Sequence, residues 1–258
     1  MAESRAALLV GATGLIGSFL LQRLLASERY ARVTAWVRRD IGKTHPKLKV
    51  EIADFERLQE RRVDAEDVFC CLGTTIKQAG SQTAFRRVDY DYPVALAMAA
   101  AGGGARRLLI VSALGANPDS RVFYNRVKGE MEVAVRAAGV PRTVFVRPSL
   151  LSGPRAEPRL GERVGLVVGN ILGPLLGKYR PIHADIVAAA MLKAAEADRP
   201  SGAIESDEIR KIGVRARFPL EKEIGLWPRF STARTSSLPF PSPSALRSSA
   251  AGGARKAR

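Results

Sequence analysis

The sequence predicts an α/β fold in which a doubly wound parallel sheet has helices on both faces. Three features of the 258-residue chain support this prediction. A glycine-rich turn joins an apolar run to a helical pattern near the N-terminus, and further apolar runs then alternate with helical patterns. Several of these runs end on glycine, hydroxyl or basic residues, as strands do where their carboxyl ends line a ligand crevice. The length allows one such domain with a complete core.

The glycine-rich turn is the first predicted site. Residues 6–10 form an apolar run typical of a strand, and a helical pattern begins at Leu15. Between them Gly11, Gly14 and Gly17 have the spacing G-x-x-G-x-x-G. Such a turn lets the backbone approach a pyrophosphate, which the unpaired N–H groups at the start of the helix would bind. Tight packing alone is the alternative explanation for the glycines.

The end of the second predicted strand indicates which nicotinamide cofactor would be bound. Residues 32–37 read as this strand, and Arg38 and Arg39 follow it. In dinucleotide-binding folds an arginine here favours the 2′-phosphate of NADP, whereas an acidic residue accepts from the ribose 2′-hydroxyl of NAD. The two arginines therefore favour NADP(H), while the adjacent Asp40 leaves NAD(H) as an option. A surface pair without a ligand is the alternative.

The third and fourth predicted strands bring further polar residues to the same edge of the sheet. Residues 47–52 and 68–75 read as these strands, with a short polar helix over 56–62 between them. Because strand ends lie along the crevice, Asp54 is expected to contact the adenine and Gly73 to admit its ribose. A solvated turn residue is the alternative for Asp54.

Two later helices are predicted from apolar periodicity. Residues 85–101 have a helical pattern, and the helix is expected to begin only near Pro93, because proline interrupts a helix interior. A returning strand that includes His183 then leads into an alanine-rich helix. His183 is expected to have a structural role, with Asp185 capping that helix.

The chemical prediction comes from the fifth strand and the helix after it. Residues 108–111 form a strand that ends at Ser112, and the next helix carries Tyr124 and Lys128. Residues four apart share one helix face, so the ammonium is expected to lower the pKa of the phenol. A serine hydroxyl from the neighbouring strand end could bind the same carbonyl oxygen. Together these groups could protonate an oxygen as a hydride reaches the carbon.

Composition argues against several other classes of protein. The net charge is +16, but it is spread along the chain without a basic stripe, which argues against specific nucleic-acid binding. No apolar run is long enough to span a bilayer. The first strand begins almost at the N-terminus, so no targeting peptide is expected and a cytoplasmic location is predicted. The adjacent Cys70 and Cys71 are expected to be buried strand residues in a reducing compartment.

The last part of the chain differs from the rest. Residues 213–258 contain five prolines, many serines and no amphipathic period, and they carry nine Lys/Arg against two Asp/Glu. Such a segment buries too little apolar surface to offset its ordering entropy, so a disordered tail is predicted after a domain over residues 1–212.

The order of these motifs resembles the atypical short-chain dehydrogenases, and among them the Tat-interacting-protein-like, NAD(P)H-binding oxidoreductases. The resemblance covers about residues 6–212 and implies a Rossmann-like sheet with a small substrate lobe at about 152–182. It implies that Ser112, Tyr124 and Lys128 are catalytic, with Lys128 also holding the nicotinamide ribose. The expected cofactor contacts are Gly11, Thr13, Gly14, Leu15, Ile16, Gly17, Arg38, Arg39, Asp54, Leu72, Gly73, Thr74, Lys128, Pro148 and Leu150.

Three functions are compatible with this pattern. The first is an NADP-dependent oxidoreductase that moves a hydride between the nicotinamide and a small carbonyl or alcohol substrate. The second is an NADPH-binding regulatory protein with little or no turnover. The third is a nucleotide-sugar epimerase or dehydratase, which would use the same serine, tyrosine and lysine. The fold alone does not distinguish them.

Overall fold

The centre of the structure is a seven-stranded sheet in which all strands are parallel. The computed structural model describes residues 4–153 and 179–216. The sheet order is β3-β2-β1-β4-β5-β6-β9, so the chain reverses direction across the sheet between β1 and β4. This is the doubly wound arrangement that the sequence predicts. The strands of this sheet are β1 (Arg5–Val10), β2 (Tyr30–Val37), β3 (Leu48–Ile52), β4 (Asp67–Cys70), β5 (Arg107–Val111), β6 (Arg142–Arg147) and β9 (Gly202–Glu205).

A separate two-residue ladder lies after β6. Its strands, β7 (Leu151–Ser152) and β8 (Ile182–His183), are parallel, and the Ile182 N–H donates to the Leu150 carbonyl at 2.9 Å. The Ser149 hydroxyl also donates to the Arg180 carbonyl at 2.6 Å. These hydrogen bonds therefore join residues 149–152 to residues 180–183, on the two sides of residues 154–178.

Helices cover both faces of the sheet. They are α1 (Leu15–Ala26), α2 (Ile76–Ala79), α3 (Gln82–Arg86), α4 (Tyr92–Gly102), α5 (Phe123–Ala137), α6 (Ala184–Glu196) and α7 (Ser206–Arg215). A 3-10 helix occupies Phe55–Glu60, close to the predicted short polar helix. No helix in the described parts of the chain is both long and apolar enough to cross a bilayer.

The helix predicted to begin near Pro93 begins eleven residues earlier, at Gln82. A single π turn, Arg87–Asp91, joins α3 to α4 with helical backbone angles at both junctions. Proline in a regular α-helix clashes with the carbonyl four residues before it. The wider π turn lies immediately before Pro93, which explains how the helix continues past the proline.

Alternate side chains of the sheet point into two apolar cores, one on each face. Along β1, Leu9 belongs to the core beneath α1 and α6, whereas Leu8 and Val10 belong to the core beneath α4 and α5. This alternation follows from the two-residue period of a strand. Because both faces are covered, the central strands β1, β4 and β5 are apolar after their first residue, as in other doubly wound sheets.

Two of the predicted segments extend beyond the described residues. The predicted substrate lobe at about 152–182 falls mostly on residues 154–178, and nearly all of the predicted tail falls on residues 217–258; both ranges lie outside the described structure. Helix α7 continues to Arg215, and Ala216 after it is buried. The end of the domain at residue 212 and the disorder of the tail stay predictions.

A buried ion pair joins α1 to α6. The Arg23 guanidinium donates to Asp185 Oδ1 from Nε at 2.9 Å and from Nη2 at 2.6 Å, and its side chain is only 3% exposed. The predicted cap of α6 therefore needs correction. His183 Nδ1, rather than Asp185, accepts from the helix by binding the Asp185 N–H at 3.3 Å, while the Asp185 carboxylate is used by Arg23.

We expect Asp185→Ala to destabilise the fold by about 3–5 kcal/mol, because it leaves the Arg23 guanidinium buried without its counter-charge. The matched control is Asp64→Ala, which removes the exposed partner of Arg32 and is expected to cost about 0–1 kcal/mol. Urea unfolding followed by circular dichroism measures both changes. Equal losses in the two variants would contradict the role given to the Arg23–Asp185 pair.

Candidate active site

The glycine turn after β1 is built by close backbone contacts. Gly11 has a φ of +90°, and a Cβ there would lie 2.7 Å from the Cys71 carbonyl carbon, so glycine is required for conformation and for space. A Cβ on Gly17 would lie 2.0 Å from the Gly11 carbonyl oxygen, so α1 packs directly on the turn. The Gly14 N–H donates to the same oxygen at 3.0 Å. Both close contacts therefore depend on the absence of a side chain at Gly11 and at Gly17.

The start of α1 is suited to an anion. Its N-cap is Gly14, which offers no side chain to the first N–H groups, and the first turn contains no acidic residue. Thr13 beside it is exposed, Leu15 is partly buried and Ile16 is buried. An uncapped helix start presents N–H donors and the positive end of the helix dipole. These residues could hold a pyrophosphate.

The other predicted cofactor contacts lie at the ends of neighbouring strands. Arg38 and Arg39 are exposed after β2, and Asp54 is exposed after β3, where it caps the 3-10 helix by accepting from the Glu56 N–H at 3.0 Å. Asp54 therefore caps this turn, and its contact with the adenine stays a prediction. Because the strands are parallel, all these ends lie at the same edge of the sheet as the glycine turn.

The segments after β4 and β6 complete this edge. Leu72 packs against the core, Gly73 is exposed, and Thr74 is partly buried. Pro148 is buried, and its carbonyl accepts from the Leu114 N–H at 3.0 Å, which ties the segment after β6 to the loop after β5. Leu150, after Pro148, is 47% exposed.

Helix α5 is held close to the loop after β5 by a glycine that sequence reasoning overlooked. A Cβ on Gly129 would lie 2.2 Å from the Asn117 carbonyl carbon, so any larger residue would push the helix away. The Asn117 N–H also donates to the Asn125 carbonyl at 3.0 Å. The signal in the sequence is a glycine in the middle of a strongly amphipathic helix, where it costs helix stability without an evident local reason.

Lys128 on α5 is buried and paired with a residue that the sequence did not single out. Its Nζ lies 2.8 Å from Asp89 Oδ1, and the two side chains are 3% and 1% exposed. Among the described residues this oxygen has no partner with aligned hydrogen-bond geometry, so the contact is an ion pair. The second oxygen, Oδ2, accepts from the Thr74 N–H at 2.9 Å. Asp89 therefore links α5 to the segment after β4.

A signal for Asp89 is present in the sequence. It lies four residues after Phe85 and four before Pro93, both of which are buried. A carboxylate on the apolar face of a predicted helix is expected to need a buried partner. The partner is 39 positions away in the chain, so the pairing itself was not predictable.

Burial and two opposite charges set the protonation of the phenol of Tyr124. Burial raises its pKa, Lys128 lowers it, and Asp89 raises it, with a raised pKa as the net result. The expectation of a lowered pKa is wrong for the group as a whole and right only for the contribution of Lys128. Although burial opposes the charge of Lys128, Asp89 and Tyr124 hold the pKa of this lysine above its ordinary value. The site thus contains a protonated phenol beside a charged ammonium.

Ser112 makes a different contact from the one expected of it. Its hydroxyl donates to Glu132 Oε1 at 2.5 Å, and the Arg147 guanidinium binds the same carboxylate from Nε at 2.9 Å and from Nη2 at 2.6 Å. Glu132 follows Tyr124 by eight positions, about 12 Å along a helix axis. The structure therefore brings Lys128 and Tyr124 together with Asp89, and it brings Ser112 to Glu132.

The described cysteines and acids do not form a metal centre. Residues 4–153 and 179–216 contain no cluster of three or more His, Cys, Asp or Glu side chains that could hold an ion. Cys70 and Cys71 are free thiols, and burial raises the pKa of Cys70 to about 11, so it is not a thiolate at neutral pH.

Sequence comparison supports the identification of a nicotinamide cofactor site. Residues 11–198 match the family described as NAD(P)H-binding. The chain is 35% identical over 163 residues to Protein HTATIP2 of Rattus norvegicus, a match that covers 61% of this chain and 67% of the relative. It is 32% identical over 230 residues to Protein fmp52-1, mitochondrial, of Aspergillus terreus, covering 83% and 98%.

Solved structures show the same fold at low sequence identity. MoeE5 in complex with UDP-glucuronic acid and NAD superposes with a TM-score of 0.60 at 19% identity, covering 81% of each chain. The enzyme WbmH of Bordetella bronchiseptica in complex with NAD+ gives a TM-score of 0.59 at 17% identity, covering 79% of this chain and 75% of that one. Identity this low shows the fold alone. The sheet is Rossmann-like, and the glycine turn lies where the strand order reverses between β1 and β4. Together with the family match and these relatives, this shows that the chain belongs to the Tat-interacting-protein-like group of the NAD(P)H-binding family.

Proposed function

We propose that this protein is an NADP(H)-dependent oxidoreductase that transfers a hydride between the nicotinamide and the carbonyl or alcohol carbon of a small molecule. The observation that carries this proposal is the face of α5 that holds the half-buried Tyr124 and the buried Lys128. It lies beside the segment after β4, and the glycine cradle occupies the same edge of the sheet. A phenol and an ammonium here can serve a reacting oxygen near a bound nicotinamide.

Different residues at this edge would bind different parts of the cofactor. The cradle at Gly11 and Gly17, which a Cβ would fill, suits the pyrophosphate, and the start of α1 supplies its donors. Arg38 and Arg39 would bind the adenosine 2′-phosphate, and Lys128 would bind the nicotinamide ribose. When bound, the cofactor supplies or accepts the hydride.

Tyr124 is the proposed proton donor. In the direction of carbonyl reduction its phenol gives a proton to the substrate oxygen as the carbon receives the hydride. The raised pKa keeps this proton on the phenol at neutral pH, so the resting site is in the form required of an acid. The charged Lys128 beside it stabilises the phenolate that remains after the transfer.

Ser112 can take part in this mechanism only if its hydroxyl changes its hydrogen-bond partner. Its single hydroxyl proton is directed at Glu132, so it can donate to a substrate oxygen only after turning away from that carboxylate. Ser112 is therefore proposed to position the substrate oxygen only when its hydroxyl has rotated away from Glu132.

The second candidate is a regulatory protein that binds NADPH with little turnover. The observation in its favour is the ion pair of Asp89 with Lys128, which weakens the effect of the ammonium on phenol ionisation.

A sugar-nucleotide epimerase or dehydratase is the third candidate, and it would use the same Tyr124 and Lys128. The exposed Arg38 and Arg39 favour NADP over the NAD that is bound in the structures of MoeE5 and WbmH. A small-molecule substrate is common to the enzymatic alternatives.

The cellular location is also a proposal. We propose the cytoplasm, as the sequence predicts, although fungal relatives such as Protein FMP52 of Eremothecium gossypii carry the word mitochondrial in their names. Imaging of the tagged full chain in its native host would distinguish the two compartments.

We expect Tyr124→Phe to reduce turnover by about 10²–10⁴-fold and to leave NADPH affinity within about threefold, because only the transferred proton is removed. NADPH oxidation is measured with a panel of aldehydes, ketones and quinones. The matched control is Tyr92→Phe, which removes a hydroxyl bonded to Glu56 on the surface. Unchanged turnover in Tyr124→Phe would overturn the catalytic assignment, and a wild-type protein that binds NADPH without turnover would favour the regulatory function.

The double variant Arg38→Ala with Arg39→Ala is expected to weaken NADPH binding by about 10–100-fold, since charge-assisted hydrogen bonds to the 2′-phosphate are lost. NADH affinity should not change, because NADH has no 2′-phosphate. Titration calorimetry measures both, and Arg106→Ala, an exposed arginine before β5, is the control for lost surface charge. Equal losses for the two cofactors would contradict the proposed preference.

Ser112→Ala is expected to lower the free energy of unfolding by about 1.5–3 kcal/mol, because a buried hydrogen bond to a carboxylate is lost. In a Glu132→Gln background the same substitution should cost less, and a double-mutant cycle by urea unfolding measures the difference. If Ser112 also positions the substrate oxygen, turnover falls further. Turnover at the wild-type level in folded Ser112→Ala would limit this residue to its contact with Glu132.

A further inference from the structure

We propose that Asp89 is a positioning residue of the Tyr124–Lys128 site, where its carboxylate fixes the Lys128 ammonium and balances its charge. The inference rests on the proposed function and adds to it the protonation state of the resting site. A site whose cation is already balanced retains the phenol proton, which is the form that carbonyl reduction requires.

The first support is the geometry of Asp89 itself. Both of its oxygens have buried contacts, one with Lys128 Nζ at 2.8 Å and the other with the Thr74 N–H at 2.9 Å. The residue belongs to the π turn Arg87–Asp91, and π turns occur often at functional sites. The ammonium has three donors, so the contact with Asp89 leaves others for a ribose. Asp89 therefore fixes Lys128 without using up its donors.

The second support is the set of charges that face the pair. Tyr124 and Lys128 come from α5, Asp89 comes from the π turn, and Cys70 comes from β4. The Cys70 thiol is neutral at physiological pH because burial raises its pKa to about 11. Within residues 4–153 and 179–216, Asp89 is the one carboxylate that lies within ion-pair distance of Nζ. The charge balance of the site is therefore set by Asp89.

The consequence for Tyr124 follows from Coulomb's law in a buried site. With Asp89 ionised, the phenol faces a pair with no net charge, and burial keeps it protonated. With asparagine in place of Asp89, the amide oxygen can still accept from Thr74, but the Lys128 cation is no longer balanced. The Tyr124 phenolate then becomes the remaining counter-charge, so the phenol should ionise at lower pH.

The test is a spectroscopic titration of Tyr124, which needs no substrate. Tyrosinate absorbance is followed from about pH 7 to 13, and the curve for Tyr124→Phe is subtracted from that of the wild type. The same subtraction is made in the Asp89→Asn background. We expect the Tyr124 midpoint to fall by at least one pH unit in Asp89→Asn, a tenfold easier ionisation. A midpoint that stays within half a unit would overturn the proposal.

The control for the titration is Asp91→Asn, which removes an exposed carboxylate from the same π turn and should leave the midpoint unchanged. A fall as large as that in Asp89→Asn would show a general charge effect and overturn the specific role of Asp89. Circular dichroism and thermal melting check the fold of every variant.

A second variant, in which positions 89 and 128 are both uncharged, tests the proposal if Asp89→Asn does not fold. The double variant Asp89→Asn with Lys128→Met has no charge at positions 89 and 128, so the phenol again faces no net charge from this pair. Its Tyr124 midpoint is therefore expected within half a unit of the wild-type midpoint. A midpoint at least one unit above that of the wild type would show that Lys128 acts unbalanced in the native site, and it would overturn the role of Asp89.

The titration separates this inference from the proposed oxidoreductase activity. A midpoint that falls as expected in a protein without turnover would leave the role of Asp89 standing and reject the enzyme. An unmoved midpoint in an active enzyme would reject the role of Asp89 alone. Where both stand, the acid limb of the pH profile for alcohol oxidation, which needs the Tyr124 phenolate, should move by at least one unit to lower pH in Asp89→Asn.

Discussion

The close approach of α1 to the end of β1 is the constraint on which the rest of the structure depends. The absence of a side chain at Gly17 lets the helix lie on the Gly11 carbonyl, and this contact sets the height of α1 above the sheet. At that height Arg23 reaches Asp185 on α6, and the apolar faces of the two helices close one of the two cores. One backbone contact thus governs both the cofactor cradle and the packing of an entire face.

Strands and the glycine turn were predictable from sequence because their signals are local. Apolar runs that end on polar residues predicted six of the seven strands of the central sheet, the sixth from residues 143–146 before Pro148, and the spacing of glycines predicted the turn after β1. The helix from Gln82 to Gly102 was shortened in the prediction because Pro93 interrupts the regular pattern, whereas the π turn is a response of the backbone to its surroundings. Strand β9 is short and was missed, since its partner β6 is distant in sequence.

The candidate site was predictable in part, and the limit was the direction of individual side chains. Tyr124 and Lys128 share a helix face, so their proximity follows from helical spacing. Ser112 has the expected place at the end of β5, but the buried Glu132 determines where its hydroxyl points. Asp89 and Lys128 meet only after two elements pack together. Contacts between distant elements decide whether a polar residue serves a ligand or serves its neighbours.

The ladder of β7 and β8 has a consequence for how this fold can diversify. It joins the chain across residues 154–178, so the ends of that segment are held together by bonds that do not depend on its sequence. Doubling the length of a closed loop costs only about 0.6 kcal/mol in chain entropy. Insertions and replacements between these two strands are therefore expected to change the free energy of unfolding of the sheet only slightly. The sequence between the two strands can therefore diverge under selection while the scaffold of the sheet is inherited unchanged.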